Sequence, residues 1–249
     1  MQITLPNRSA EGSERAVTRP AQAAAWLAAG VFILALAARW LPGPRTIDDS
    51  YITFTYARSL LAGQGFVYNP GEQVLGTTTP LYAALMALGG LLTGGVNAPF
   101  PLLALGLNSL ADALTCVLIL RLGRRLGLPF AGAGAALTWA VAPFSVTFAI
   151  GGLETSLYVL LLTGLANAHL EQRRILASLL AALALLTRPD ALILIGLVYL
   201  DRAGGLLLQL RAARRGQAQP PRPAALAAEA AAFLLPVLAW GAFAYAYFG

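Results

Sequence analysis

Long apolar blocks alternate with short polar joints along this chain. Aliphatic residues dominate roughly 21–41, 81–96, 101–120, 129–150, 155–170, 175–187, 191–200 and 226–248. Runs of this length with few charges fit a hydrocarbon core about 30 Å thick and predict membrane-crossing helices. The longest interruption is 46–80, TIDDSYITFTYARSLLAGQGFVYNPGEQVLGTTTP. It opens on two carboxylates, continues as a helix-like run to Gly63, and then turns through Gly65, Asn69, Pro70 and Gly71 to a Thr-rich tract ending at Pro80. Within its helical part Ile52, Tyr56 and Leu60 fall at i, i+4 and i+8, one apolar face.

Composition sharpens the class. Hydrophobic residues make up 58% of the chain and charged residues only 11%, against about 25% charged in soluble domains. The expected fold is an all-α polytopic membrane protein. The net charge of +6 rests on 17 arginines and no lysine. They cluster in short loops between apolar runs, as in the positive-inside pattern, and form no basic stripe with interleaved aromatics. Nucleic-acid binding is therefore excluded. The single cysteine, Cys116, rules out an intrachain disulfide and a CxxC metal site. The first apolar run is too long for a signal-peptide core, and Leu41-Pro42-Gly43-Pro44 is a poor cleavage site.

The arginines also set an expected topology. Arg8, Arg15 and Arg19, then Arg121, Arg124 and Arg125, then Arg173 and Arg174, then the loop from Arg202 to Arg222 hold 13 of the 17. All four groups fall on the cytoplasmic side only if 81–96 does not span. That block is short and carries Gly89, Gly90, Gly94 and Gly95, which suits an interfacial helix. The expectation is a cytoplasmic disordered tail over 1–20 and a transmembrane module over 21–249. Within it, 42–100 forms an outer excursion with two juxtamembrane helices, and 202–225 forms a basic cytoplasmic loop. About seven spans follow, at 21–41, 101–121, 129–149, 155–170, 175–187, 191–207 and 226–248. Pro189 breaks the helix between the fifth and sixth.

Each candidate chemical group has a structural reading beside the functional one. Thr46-x-x-Asp49 matches a capping box, with Asp49 reaching back to the Thr46 amide. Asp48 has no such task and is the candidate general base. Arg188 is either an ion-pair partner of Asp190 or a guanidinium fork for a phosphate. Glu154, in Gly151-Gly152-Leu153-Glu154-Thr155, either starts the next helix or joins the aspartates across a cavity. Tyr56 belongs to a set of interfacial aromatics and is also the aromatic assigned to substrate. Asp112, with Asn108 and Ser109 a turn earlier, marks an intramembrane hydrogen-bond node. His169 reads as interfacial and Arg58 as an interfacial anchor.

Taken in order, three motifs carry a family resemblance. Asp48-Asp49-Ser50-Tyr51-Ile52, with Tyr56-Ala57-Arg58, Tyr68-Asn69-Pro70-Gly71-Glu72 and Gly76-Thr77-Thr78-Thr79-Pro80, resembles the first outer loop of GT-C membrane glycosyltransferases. The arabinofuranosyl- and mannosyltransferase-like bacterial branch is the nearest in look. Gly152-Leu153-Glu154-Thr155 and Leu186-Thr187-Arg188-Pro189-Asp190 are similar to that branch's later motifs. The resemblance implies inverting transfer of a sugar from a polyprenyl-phosphate donor to a glycan, lipid or protein acceptor, at the outer face of a bacterial inner or plasma membrane. It implies Asp48 first and Asp49 second as base, and Arg188 for the leaving phosphate. No cofactor is required, although a divalent cation could sit between Asp49 and Glu154, since hard cations take oxygen ligands. Members of that family are longer, so the likeness covers their N-terminal part. The competing expectation is a non-catalytic subunit of a larger membrane complex, with partner subunits. A transporter ranks third.

Overall fold

The computed structural model describes the backbone of residues 8–249 and the side chains from Gln22 onward. Helices account for all its regular structure: α1 Arg8–Trp40, α2 Asp48–Leu61, α3 Pro80–Thr93, α4 Phe100–Arg125, α5 Pro129–Val141, α6 Pro143–Ile150, α7 Thr155–Leu170, α8 Arg174–Thr187, α9 Leu192–Arg214 and α10 Pro223–Phe248. Single 3₁₀ turns at Gly95–Asn97 and Pro189–Ala191 join α3 to α4 and α8 to α9. Of the tail expected at 1–20, residues 1–7 lie outside the described residues and α1 runs from Arg8.

Among the described residues, four helices are long and apolar enough to cross a membrane: Gln22–Trp40 within α1, α4, Pro189–Arg214 around α9, and α10. A fifth span results if α5 and α6, bent by 46° at their junction, are counted as one. The structure thus supports four to five spans, and the expected count of seven is not confirmed. The shortfall lies in α7 and α8, of 16 and 14 residues. At 1.5 Å per residue these reach only about 21–24 Å, less than the bilayer core. They pack as a pair, with α7 also against α4 and α8 against α10.

The bend between α5 and α6 has an identifiable cause and an identifiable compensation. Pro143 has no amide hydrogen, so the carbonyl of Trp139 loses its helical donor. Arg39, at the end of α1 and 0% exposed, supplies replacements. Its Nη2 donates to Trp139 O at 3.3 Å and its Nη1 to Ala140 O at 2.7 Å. Ser145 Oγ adds a second donor to Trp139 O at 2.7 Å. Arg39 Nε donates in turn to Asp112 Oδ2 at 2.7 Å, and Asp112 also accepts from Trp139 Nε1 and Ser156 Oγ. Broken backbone is tolerated at membrane depth where other groups satisfy it, and this network does so while tying together α1, α4, α5, α6 and α7.

About three turns beyond Asp112 along α4, the backbones of α4 and α5 come close together. A Cβ on Gly123 would lie 2.5 Å from Gly132 Cα, so the pair of glycines sets that crossing. The Gly90-x-x-x-Gly94 spacing plays no such part. Gly90 accommodates Leu61 and Phe100, and Gly94 ends α3.

The loops sort to two ends of the bundle. Backbone pairing of 45–47 with 150–151, the packing of Phe66 on Trp240, and the contact of Arg188 with Glu154 bring α2, the 62–79 loop, the 151–154 loop, the 188–191 turn and the end of α10 to one end. Arg121 and Arg173 on Glu171, and Arg202 on Glu229, gather the arginine-rich loops at the other.

Candidate active site

The site is assembled around the start of α2. Ile47 is its N-cap, with extended φ and ψ of −90° and 150°, and no side chain caps the helix. The expected Thr46–Asp49 capping box is therefore absent. Thr46 Oγ1 lies 3.1 Å from the Tyr51 hydroxyl instead, and Ser50 Oγ donates to Ile47 O at 2.6 Å. The physical reason is that the helix begins one residue later than the box requires, because the backbone of 45–47 is held by another loop. Asp48 and Asp49 occupy the exposed first turn, and neither carries a hydrogen bond or ion pair among the described residues. Both sit at the positive end of the helix dipole.

That other loop is 150–154. Arg45 N donates to Ile150 O at 2.8 Å and Ile47 N to Gly151 O at 2.9 Å. The closeness depends on two glycines. A Cβ on Gly151 would sit 2.7 Å from Ile47 Cδ1, and one on Gly152, at φ +81°, would sit little more than 3 Å from Ser50 and Phe54. From beneath, Asn108 Nδ2 donates to Ala149 O and Leu153 O at 3.2 and 2.9 Å, and the Tyr82 hydroxyl lies 3.2 Å from Gly152 O. Burial pushes the Tyr82 phenol well above its usual range, so it remains a donor. The loop is thus a fixed platform between the aspartate-bearing turn and Glu154.

Glu154 is 9% exposed and accepts from Arg188 Nη1 at 2.9 Å. Arg188 Nε reaches Asp190 Oδ1 at 3.1 Å, and its guanidinium stands 5.6 Å from the centre of the Tyr158 ring. The ion pair of Arg188 with Asp190 read from sequence is present, with Glu154 as a second partner. Two carboxylates and a ring hold the guanidinium by three sides, while Nη2 carries no hydrogen bond among the described residues. Its side chain is 40% exposed. The structure brings Glu154, Arg188 and Asp190 together, and the 150–154 loop connects them to the turn bearing Asp48 and Asp49.

Tyr56 is placed differently from a residue that offers its hydroxyl to a ligand. It is 0% exposed; its hydroxyl donates to Val74 O at 3.0 Å and accepts from Gly76 N at 2.7 Å. With Ile52, Tyr68 and Glu72 it lines a cavity of about 320 Å³ under the loop. Tyr56→Phe removes the hydroxyl that bridges these two backbone groups and leaves them only their own contact, Gly76 N to Val74 O at 3.1 Å; it is expected to cost about 0.5–1.5 kcal/mol, read as a lowered unfolding midpoint of the solubilised protein. Arg58 braces the fold from the other side, donating to Val96 O at 3.2 Å over the Phe100 ring.

Among the described residues there is no group of three or more His, Cys, Asp or Glu that could hold a metal ion. The pair Asp49 and Glu154 fits a cation poorly, since Glu154 Oε1 already meets Arg188. Two polar clusters give residues partners that the sequence reading did not supply. One is Arg39 with Asp112; an arginine and an aspartate inside separate apolar blocks was the available signal. The other joins His169 to Asp201 at 3.0 Å and Arg202 to Glu229 around a cavity of about 150 Å³.

No family model and no solved structure matches the chain. It is 33% identical over 129 residues to a terminal beta-(1->2)-arabinofuranosyltransferase of Mycobacterium tuberculosis. The match covers 48% of this chain and 19% of that relative's length. The likeness supports a GT-C-like membrane glycosyltransferase and nothing finer.

Proposed function

We propose that this chain transfers a sugar from a polyprenyl-phosphate donor to an acceptor hydroxyl, with inversion, at the end of the bundle that carries α2. The observation that carries the reading is the guanidinium of Arg188, held by Glu154 and Asp190 with one nitrogen open, beside the loop that fixes the aspartate-bearing turn. Asp48 takes the proton of the acceptor hydroxyl. The acceptor oxygen bonds to the anomeric carbon as the bond from that carbon to the phosphate oxygen breaks. A single displacement inverts the centre, and the phosphate leaves with the bonding pair. Arg188 meets the charge developing on that phosphate. Asp49 is the second candidate base. The mechanism needs no resident metal because the guanidinium supplies the positive charge. The reading places this end outside the cell and the arginine-rich end in the cytoplasm.

The experiment is turnover by the purified chain with a labelled polyprenyl-phosphate pentose or hexose. Arg188→Gln is expected to lower transfer about 10²–10³-fold, as for loss of one charge-stabilising donor. Arg188→Lys should fall between, as a point charge cannot hold the two-carboxylate geometry and also face a phosphate. Full transfer by Arg188→Gln would sink its role. The competing reading is a non-catalytic subunit of a larger membrane complex. It predicts a stable partner on purification and no turnover with any such donor.

A further inference from the structure

The arginine-rich end holds a groove of about 280 Å³ between α4, α7 and α8. Its walls are apolar, with Leu118, Leu160, Leu161 and Leu180 lining it, and Gly164 leaves room between them. Its mouth is strongly charged. Glu171 Oε1 lies 2.5 Å from Arg121 Nη2 and 3.7 Å from Arg125 Nη2, and its Oε2 lies 3.3 Å from Arg173 Nε. One buried carboxylate thus meets three guanidiniums that are each 41–61% exposed. Two positive charges remain over at the opening of a greasy slot.

A second, independent feature lies just inside the mouth. Asn167 lines the groove and is 4% exposed. Its Nδ2 donates to Leu118 O and Thr163 O at 3.2 and 2.9 Å. This fixes the amide's orientation, since a flip would set its oxygen against two carbonyls. Asn167 Oδ1 has no donor among the described residues. A buried acceptor of this kind calls for a hydroxyl or amide partner.

We propose that this groove binds an anionic glycerophospholipid with a hydroxyl-bearing head group. Its phosphate lies between Arg121 and Arg173, an acyl chain follows the leucine walls, and a head-group hydroxyl donates to Asn167 Oδ1. Charge excess at the mouth selects an anion; the apolar slot selects a lipid over a free phosphate; the orphaned acceptor selects a polyol head group. The site lies on the opposite end of α7 from Glu154 and is separate from the proposed transfer chemistry.

Native mass spectrometry of the full chain in detergent tests this with dioleoyl phosphatidylglycerol, dioleoyl phosphatidylcholine and undecaprenyl phosphate as probes. One phosphatidylglycerol should be retained roughly tenfold or more tightly than phosphatidylcholine, the scale set by two guanidiniums near a lipid phosphate. Arg121→Gln with Arg173→Gln should abolish the preference, and the corresponding lysine pair should keep most of it. Gly164→Leu, which fills the slot, should lose the lipid with both arginines in place. Equal retention of the two phospholipids by the natural sequence would overturn the proposal, as would undiminished binding by the glutamine pair or by Gly164→Leu. Tighter retention of undecaprenyl phosphate would overturn the choice of a glycerophospholipid.

Discussion

Replacing Asp48 with asparagine is expected to lower sugar transfer by about 10²–10⁴-fold, the usual contribution of a positioned general base, with the fold unchanged. The substitution is nearly isosteric and touches no contact, since Asp48 is exposed and has no partner among the described residues. Its structural cost is confined to a lost charge at a helix N-terminus, about 0.3–1 kcal/mol. The two effects are therefore well separated in size. The missing capping box changes how Asp49 must be handled. Both carboxylates are free, so Asp49→Asn is the necessary comparison, and the larger loss should fall on Asp48→Asn. Assays with a labelled polyprenyl-phosphate sugar, beside unfolding curves for both variants, decide it. Undiminished transfer by Asp48→Asn would remove the residue from the mechanism.

The largest effect on stability should come from Asp112→Ala, at about 3–5 kcal/mol, because it leaves the Arg39 guanidinium buried without its carboxylate. Both side chains are 0% exposed and 2.7 Å apart. An ordinary buried ion pair can be exchanged for apolar residues with little or no loss. Here the double variant Arg39→Met with Asp112→Leu should stay below the natural sequence. Arg39 also serves the carbonyl of Ala140 at the α5–α6 break, and stranding that acceptor costs about 1–3 kcal/mol, whereas Trp139 O keeps Ser145 Oγ as a donor. Thermal or denaturant unfolding of solubilised protein measures both variants. A double variant as stable as the natural chain would show that the ion pair alone, and not the cap on the broken helix, is what Arg39 provides.

Reading the sequence located the ingredients more reliably than their partners. Asp112 and Asn108 stand out as polar residues in an apolar block, and both are buried and hydrogen-bonded. Arg39 did not stand out, because an arginine near the end of a span ordinarily reaches the interface. Its inward turn follows from Pro143, a hundred residues away in sequence. Thr46-x-x-Asp49 matched a capping pattern that the structure does not use, since a local motif is overruled when its backbone pairs with a distant loop. The count of seven spans goes unconfirmed for a related reason. Helices α7 and α8 are apolar enough for a bilayer but too short for one, and sequence hydropathy does not show how far a short helix is sheltered by α4 and α10.

The sequence by itself determined the helical membrane class, the helix break at Arg188-Pro189-Asp190 and the order of the three polar motifs. Those follow from hydropathy and from the missing amide of proline, which act locally. Only the tertiary structure decided that Arg188 is shared between Asp190 and Glu154, that Gly151 and Gly152 let α2 sit against the 150–154 loop, and that Arg39 closes the break at Pro143. Each of these depends on which carbonyls and charges are left without a partner once the helices pack. That shortage exists only in the assembled bundle, where water is absent and each buried polar group must find its partner in the protein.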